Sequence, residues 1–446
     1  MEGKTENKEI KQGSVIKLST KVTEQDLADS WSDSFGVKYS KDKKRLLKGA
    51  DIESYNIPEG TEVICDDAFR DCIWLQKIQL PNTLKSIGDA AFLGCSFENI
   101  VIPDSVSSIG KDVFKKCLLQ DVVLGNSITE ISEHMFADLR CLKKIVMGNS
   151  VTSICHHAFY RCVNLQNIEL PNTVTCIGNY AFDGCNTLES ITIPDSVTSI
   201  GDKAFWECES LKSIIIGNSV QIIGDRAFGR CKSLTSIVIP ASVTYIHVGV
   251  FFECKSLQRV LIPDSVTIIY HFAFARCSSL ESIVIPDSVT SIKQEAFMEC
   301  GSLRSIVLGK SVKELDNAFS HCGSIQEVVI RSSIIRDVRL PFNVGLVVIP
   351  DGKLSYFEMM LPSLKSKFVE ESQYETFLKN RRKEEKRKKL FSKKTRLKVL
   401  ILFALLSGLV GLYLMNYSDF PLLGVVILLI AGVVCFLSGL ELLEEM

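Results

Sequence analysis

The stretch LESITIPDSVTSIGDKAFWEC, residues 188–208, decides the fold. Leu188, Ile191 and Ile193 alternate with Ser190 and Thr192, the period of a strand with one buried face. Pro194 has no N–H to give to a sheet ladder, so the extended segment must stop just before it. Val197, Ile200, Ala204, Phe205 and Cys208 follow, making about eight apolar positions in one short unit. A unit of this size cannot bury them alone, whereas stacking equivalent units in register sets each apolar side chain on its counterpart and builds a continuous core.

The rest of the chain repeats the pattern. Phe recurs at 69, 92, 114, 136, 159, 182, 205, 228, 251, 274, 297 and 319, always 22 or 23 residues apart. Cys stands three residues after each Phe except at Leu139, so eleven of the sixteen cysteines form one column. Pro or Gly punctuates every unit upstream, as at Pro171, Pro194, Gly217 and Pro240. About twelve stacked turns are expected, forming a β-rich leucine-rich-repeat solenoid with a parallel sheet and short turns or helices. A hairpin over 36–47 reads as the front cap. Residues 345–350 read as a last strand, and 351–369 as a closing helix interrupted near Pro362.

Units such as 188–208 resemble the BspA-like leucine-rich-repeat family of bacterial and protist proteins. The resemblance covers residues 36 to about 370, including the IPDGKLSYF segment at 349–357. It implies a solenoid with a parallel sheet on one face, used by several family members as a cell-surface adhesin.

Composition is that of a folded chain, with 46% apolar and 23% charged residues. The net charge of -1 conceals an asymmetry: residues 379–398 hold twelve Lys or Arg against two Glu, or +10, leaving -11 elsewhere. An acidic repeat region offers no footprint for nucleic acid. Residues 397–415 and 421–440 are apolar runs long enough to cross a bilayer as a helical hairpin. The basic residues ahead of them predict the topology by their retention on the cytoplasmic side. Arg381, Arg382, Lys383, Lys386, Arg387, Lys388, Lys389, Lys393, Lys394 and Arg396 are therefore the candidate topology and lipid contacts. The N-terminus shows no apolar run of the kind a secretory signal needs. These readings predict an integral membrane protein with its repeats on the cytoplasmic side and a bilayer contact through the hairpin.

The domain plan is a polar segment (1–35), an N-terminal cap (36–64), the solenoid (65–340), a C-terminal cap (341–370), a basic juxtamembrane segment (371–396) and the two spans (397–415 and 421–440).

No Gly-rich phosphate loop, G-x-S-x-G or H-E-x-x-H motif is present, so no catalytic residue, metal ligand or cofactor is expected. One Cys per turn lacks the paired spacing of zinc sites and reads as a small buried residue. The six histidines read as solvent-facing substitutions. Functional weight falls on the outward strand column, where Val101, Val123, Val146, Ile215, Val238, Leu261, Val284, Val307 and Val329 interrupt an otherwise polar surface. Such a stripe reflects either β-propensity or a docking face for a protein or peptide. The expectation is a binding scaffold rather than an enzyme, with a surface adhesin carrying its repeats outside as the alternative.

Overall fold

The computed structural model describes residues 18–323, 325–341 and 343–384. The chain divides into two compact units, Met1–Val369 and Glu370–Met446. In the second, residues 371–384 are helical. The expected spans at 397–415 and 421–440 lie outside the described residues.

The first unit is a parallel β-solenoid. Its turns reach the main ladder at residues 54, 77, 99, 121, 144, 167, 190, 213, 236, 259, 282, 305, 327 and 346, fourteen turns where the Phe column led to an expectation of twelve. The ladder also takes in the end strands Ser54–Asn56, which leads into the Phe69 turn, and Leu346–Ile349, which lies within the last strand expected at 345–350. The 23-residue period sets like on like: Ser190 pairs with Ser213, Ile191 with Ile214, Thr192 with Ile215 and Ile193 with Ile216.

A second parallel ladder runs along the next side, built from two-residue strands such as Ser199–Ile200 and Ile222–Ile223. A sheet on one face alone was expected, because a two-residue strand is too short to show a period of its own.

The third side, around Phe, is neither strand nor helix. The residues two before and two after each Phe have left-handed backbones, for example Lys203 at φ 51° and Glu207 at φ 58°. This conformation costs roughly 1–2 kcal/mol for a residue with a side chain. It is held because the N–H groups of Lys203, Phe205 and Glu207 donate to the carbonyls of Asp225, Ala227 and Gly229 on the next turn, at 2.8, 2.8 and 3.0 Å. Adjacent turns are thus hydrogen-bonded on every side, and few buried backbone groups go unpaired.

Inside, Leu188, Ile191, Ile193, Val197, Ile200, Ala204, Phe205 and Cys208 are all buried. The Phe rings form one stack from Phe69 to Phe319, with centroids 5.0–5.8 Å apart and planes within 3–18° of parallel. These separations suit offset-stacked rings.

The cysteine column has a specific job. Every thiol of the column after Cys72 donates to the Phe carbonyl one turn back, as from Cys208 to Phe182 at 3.2 Å and from Cys231 to Phe205 at 3.2 Å. Cys is small and apolar enough to bury, and its S–H supplies a weak donor there. Burial pushes most of these thiols up, Cys254 to about 12, while a hydrogen bond with Cys300 lowers Cys322.

The glycine after the second ladder is set by crowding. A Cβ on Gly201 would come within 2.4 Å of the Asn179 Oδ1 on the preceding turn. That oxygen is engaged in accepting the Asp202 N–H at 2.9 Å.

At the front, the antiparallel strands Trp31–Ser32, Lys38–Tyr39 and Arg45–Lys48 cover the first turn and join the second ladder through Arg45 and Leu46. The Asp33 carboxylate accepts from Tyr55 Oη at 2.5 Å and from the N–H groups of Phe35 and Val37 at 2.9 Å. Arg45 ties residues 18–29 down by donating to the carbonyls of Ser19 and Lys21 and pairing with Asp26 at 2.8 Å. At the rear, the helix Leu354–Met360 buries Phe357 and gives way to a 3-10 turn over Pro362–Lys367.

Candidate functional site

The outward column of the main ladder is open to solvent while the residues on either side of it in sequence point inward. Ile215, Val238, Leu261 and Val284 are 65, 62, 62 and 59% exposed. Val307 and Val329 extend this run half-buried, making six successive aliphatic turns. Val101, Val123 and Val146 form a shorter run of 65, 40 and 44% exposure. The structure therefore brings all nine predicted face residues onto one side but splits them into two groups, with Glu169 and Thr192 between.

The ladder itself opens at that point. Residues 167–170 are the one turn, among those described, that contributes no strand to the main ladder; a single bridge joins Asn167 to Ser190. Asn167 and Glu169 occupy outward positions where other turns carry Ser and an aliphatic residue, and both have low strand preference. A cleft of about 480 Å³ lies here, lined by residues 167–170 and 172 with 190–192 and 194.

Other columns carry chemistry that sequence reasoning passed over. Glu207, Arg230, Glu253, Arg276 and Glu299 form an alternating ion-pair ladder beside the Phe stack. The contacts are 2.6 Å from Arg230 to Glu207, 3.2 Å from Arg230 to Glu253, 2.9 Å from Arg276 to Glu253 and 3.1 Å from Arg276 to Glu299. Burial acts to raise the Glu253 carboxyl, but Arg276 and Arg230 outweigh it and hold it below its usual range. Trp206 lies across the gap left by Gly229 and stacks on Phe252 at 6.4 Å, with Arg230 over its ring. The signal was present as alternating Glu and Arg at intervals of 23. Only the stacking makes residues so far apart neighbours.

The histidines also differ from expectation in part. His157 is sandwiched between His134 and Tyr180, each ring 4.7 Å away, and burial together with His134 lowers its basicity. Among the described residues no group of three His, Cys, Asp or Glu side chains is arranged to hold a metal ion. Of the candidate lipid contacts, Arg381, Arg382 and Lys383 are exposed on the helical segment 371–384, while Lys386, Arg387, Lys388, Lys389, Lys393, Lys394 and Arg396 lie outside the described residues.

A parallel solenoid with a Leu/Ile strand, a Pro or Gly corner and a Phe-x-x-Cys side in each turn defines a leucine-rich-repeat protein. The sequence matches the BspA type leucine rich repeat region, in six copies, over residues 43–166, 152–281 and 267–338, and the chain belongs to that family. A leucine-rich repeat protein from Bacteroides ovatus is 30% identical, with 68% of this chain and 85% of that one covered at a TM-score of 0.58. A leucine rich cell surface protein from Faecalibacterium prausnitzii is 26% identical over 62% of this chain and 94% of that one, with a TM-score of 0.37. The pneumococcal vaccine antigen PcpA is 18% identical over 76% and 80%, with a TM-score of 0.41. No curated protein matches the sequence.

The expected localisation, an integral membrane protein with its repeats on the cytoplasmic side, is corrected here. No helix among the described residues is long and apolar enough to cross a membrane. The physical weakness lay in the charge argument: a basic segment bears on the sidedness of a flanking span, and by itself it does not place a repeat domain.

Proposed function

We propose that this protein binds a protein partner through the main sheet face, and that binding rather than catalysis is its activity. The observation that carries the reading is the run of six aliphatic turns from Ile215 to Val329, each held outward by its own strand. An unbroken exposed apolar stripe of this kind marks an interaction surface more often than an ordinary one. Covering each of the four most exposed side chains contributes about 1 kcal/mol, since complete burial of such a side chain is worth about 1.5–3 kcal/mol. The buried thiols of the Phe-x-x-Cys column offer no accessible nucleophile, since burial shields them from solvent.

Photo-crosslinking tests the proposal. Benzoylphenylalanine placed at Val238 or Leu261 in cells is expected to yield a discrete adduct, and the same group at Ile222 on the second ladder to yield none. Replacing Ile215, Val284 and Val307 together by Asp should abolish the adduct. An adduct that survives this change, or one that forms equally from Ile222, overturns the assignment.

The alternative reading, an adhesin that meets its partner outside the cell, uses the same face. Reaction of the half-exposed Cys141 with a membrane-impermeant maleimide on intact cells supports it, and protection that ends only on permeabilisation counts against it.

A further inference from the structure

Between the two apolar runs of the sheet face lies a polar gap, and the turn there, 167–170, is the one described turn that forms no strand in the main ladder. In several turns the strand is closed by a bond from the last N–H before the Pro or Gly to the outward carbonyl one turn on, as from Leu124 to Val146 at 2.9 Å and from Ile285 to Val307 at 2.8 Å. Among the described residues the equivalent bonds from Met147 to Glu169 and from Leu170 to Thr192 are not made, nor are those from Leu80 to Val101, Ile216 to Val238 and Ile262 to Val284; what sets Glu169 apart is that its turn forms no strand and carries a carboxylate outward. The Glu169 carbonyl is thereby left open to the cleft. Around it stand the Glu169 carboxylate, the side-chain oxygens of Asn167 and Asn172, and the hydroxyls of Ser190 and Thr192.

The amides and hydroxyls can donate or accept, and Glu169 carries the one charge among the residues that line the cleft. Lys212 is engaged with Glu189 at 3.0 Å and Lys143 with Gln120 at 2.9 Å, while Glu169 is exposed and makes no ion pair among the described residues. An anion would meet Glu169 with no cation lining the cleft to offset it. A cation would find a carboxylate and a main-chain carbonyl at once, the charge-assisted arrangement that binds Lys and Arg strongly.

We propose that the cleft receives a lysine or arginine side chain of the docked protein, carried within a surface that is apolar on both sides of it. The apolar flanks lie on Val101 to Val146 and on Ile215 to Val329, and the single cation sets the register between them. An apolar stripe alone permits sliding by one turn, whereas a charge that fits only at the broken turn does not. The inference rests on the sheet face being the binding surface.

The test is selection of a random-peptide display library on the full chain, repeated on the variants E169Q, E169K and V238D. Thermal unfolding of each variant first checks that the exposed substitutions leave the fold intact. Enriched peptides are expected to carry Lys or Arg between aliphatic residues, to bind E169Q about tenfold more weakly, and to give way to Asp or Glu peptides on E169K. Peptides that lose affinity for V238D yet bind E169K unchanged overturn the cation cleft and leave the sheet-face reading standing. Peptides indifferent to both changes, or a library that yields nothing while a glycan panel binds, overturn both.

Discussion

Replacing Asp183 by Asn should stabilise the protein at alkaline pH and do little in acid. Asp183 follows Phe182 on the turn side of the solenoid and is partly buried, and burial, followed by the nearby Glu207 carboxylate, pushes its carboxyl up to about 7 against the pull of Lys203 and Arg161. Its ordinary value is 3.8, which stands for the unfolded chain. Below about pH 4 the group is protonated in both states and adds nothing to the pH dependence. Between about 4 and 7 the folded chain keeps a proton that the unfolded chain has released, so stability falls as pH rises and stays reduced above 7. The three-unit difference corresponds to about 4 kcal/mol in full, and screening of a side chain still partly open to water reduces it to about 1–2 kcal/mol.

Urea unfolding of the wild type and D183N at pH 4 and pH 8 measures this. Hydrogen exchange across residues 160–207 reports the local effect, since a long repeat array need not unfold in one step. The variant should gain about 1–2 kcal/mol at pH 8. An equal shift at both pH values would mean that the amide merely packs differently, and a wild type that gains on the variant as pH rises would refute the reasoning.

Two further outcomes follow from the same geometry. Ala90 sits at a left-handed position, φ 51°, so A90G should raise the unfolding midpoint by the equivalent of about 0.5 kcal/mol, the relief of strain exceeding the added freedom of the unfolded chain; a lowered midpoint in calorimetry would show that strain there is already relieved. Among the described cysteines, maleimide should label the half-exposed Cys141, Cys155 and Cys176 in the native protein and reach the buried column only in denaturant, as peptide mass spectrometry would show.

Much of the fold was legible in the chain. The recurrence of Phe and Cys fixed the turn length, and the alternation of Ile191 and Ile193 with Ser190 and Thr192 told inside from outside. The nine face residues were found because an aliphatic side chain at an outward position breaks that alternation. The rear strand Leu346–Ile349 falls within the expected 345–350, whereas the front strand Ser54–Asn56 lies inside the segment read as a cap, 36–64, because Ser-Tyr-Asn shows no aliphatic alternation. The left-handed sites were hidden because many are occupied by residues such as Arg161, Lys203 and Glu207, whose own preferences argue against that backbone. The cleft escaped notice because Asn167 and Glu169 look like ordinary variation until the missing pairing is seen.

The sequence by itself determined the period, the inward columns and family membership, because these depend on burial patterns repeated every 22 or 23 residues and legible within any one unit. Tertiary structure alone decided which residues become neighbours across turns. The ion-pair ladder from Glu207 to Glu299, the imidazole stack at His157 and the break between the two apolar runs all arise between residues one period apart. Hydrogen bonds from each turn to the next set that register, and they override the local preference of the residues they hold.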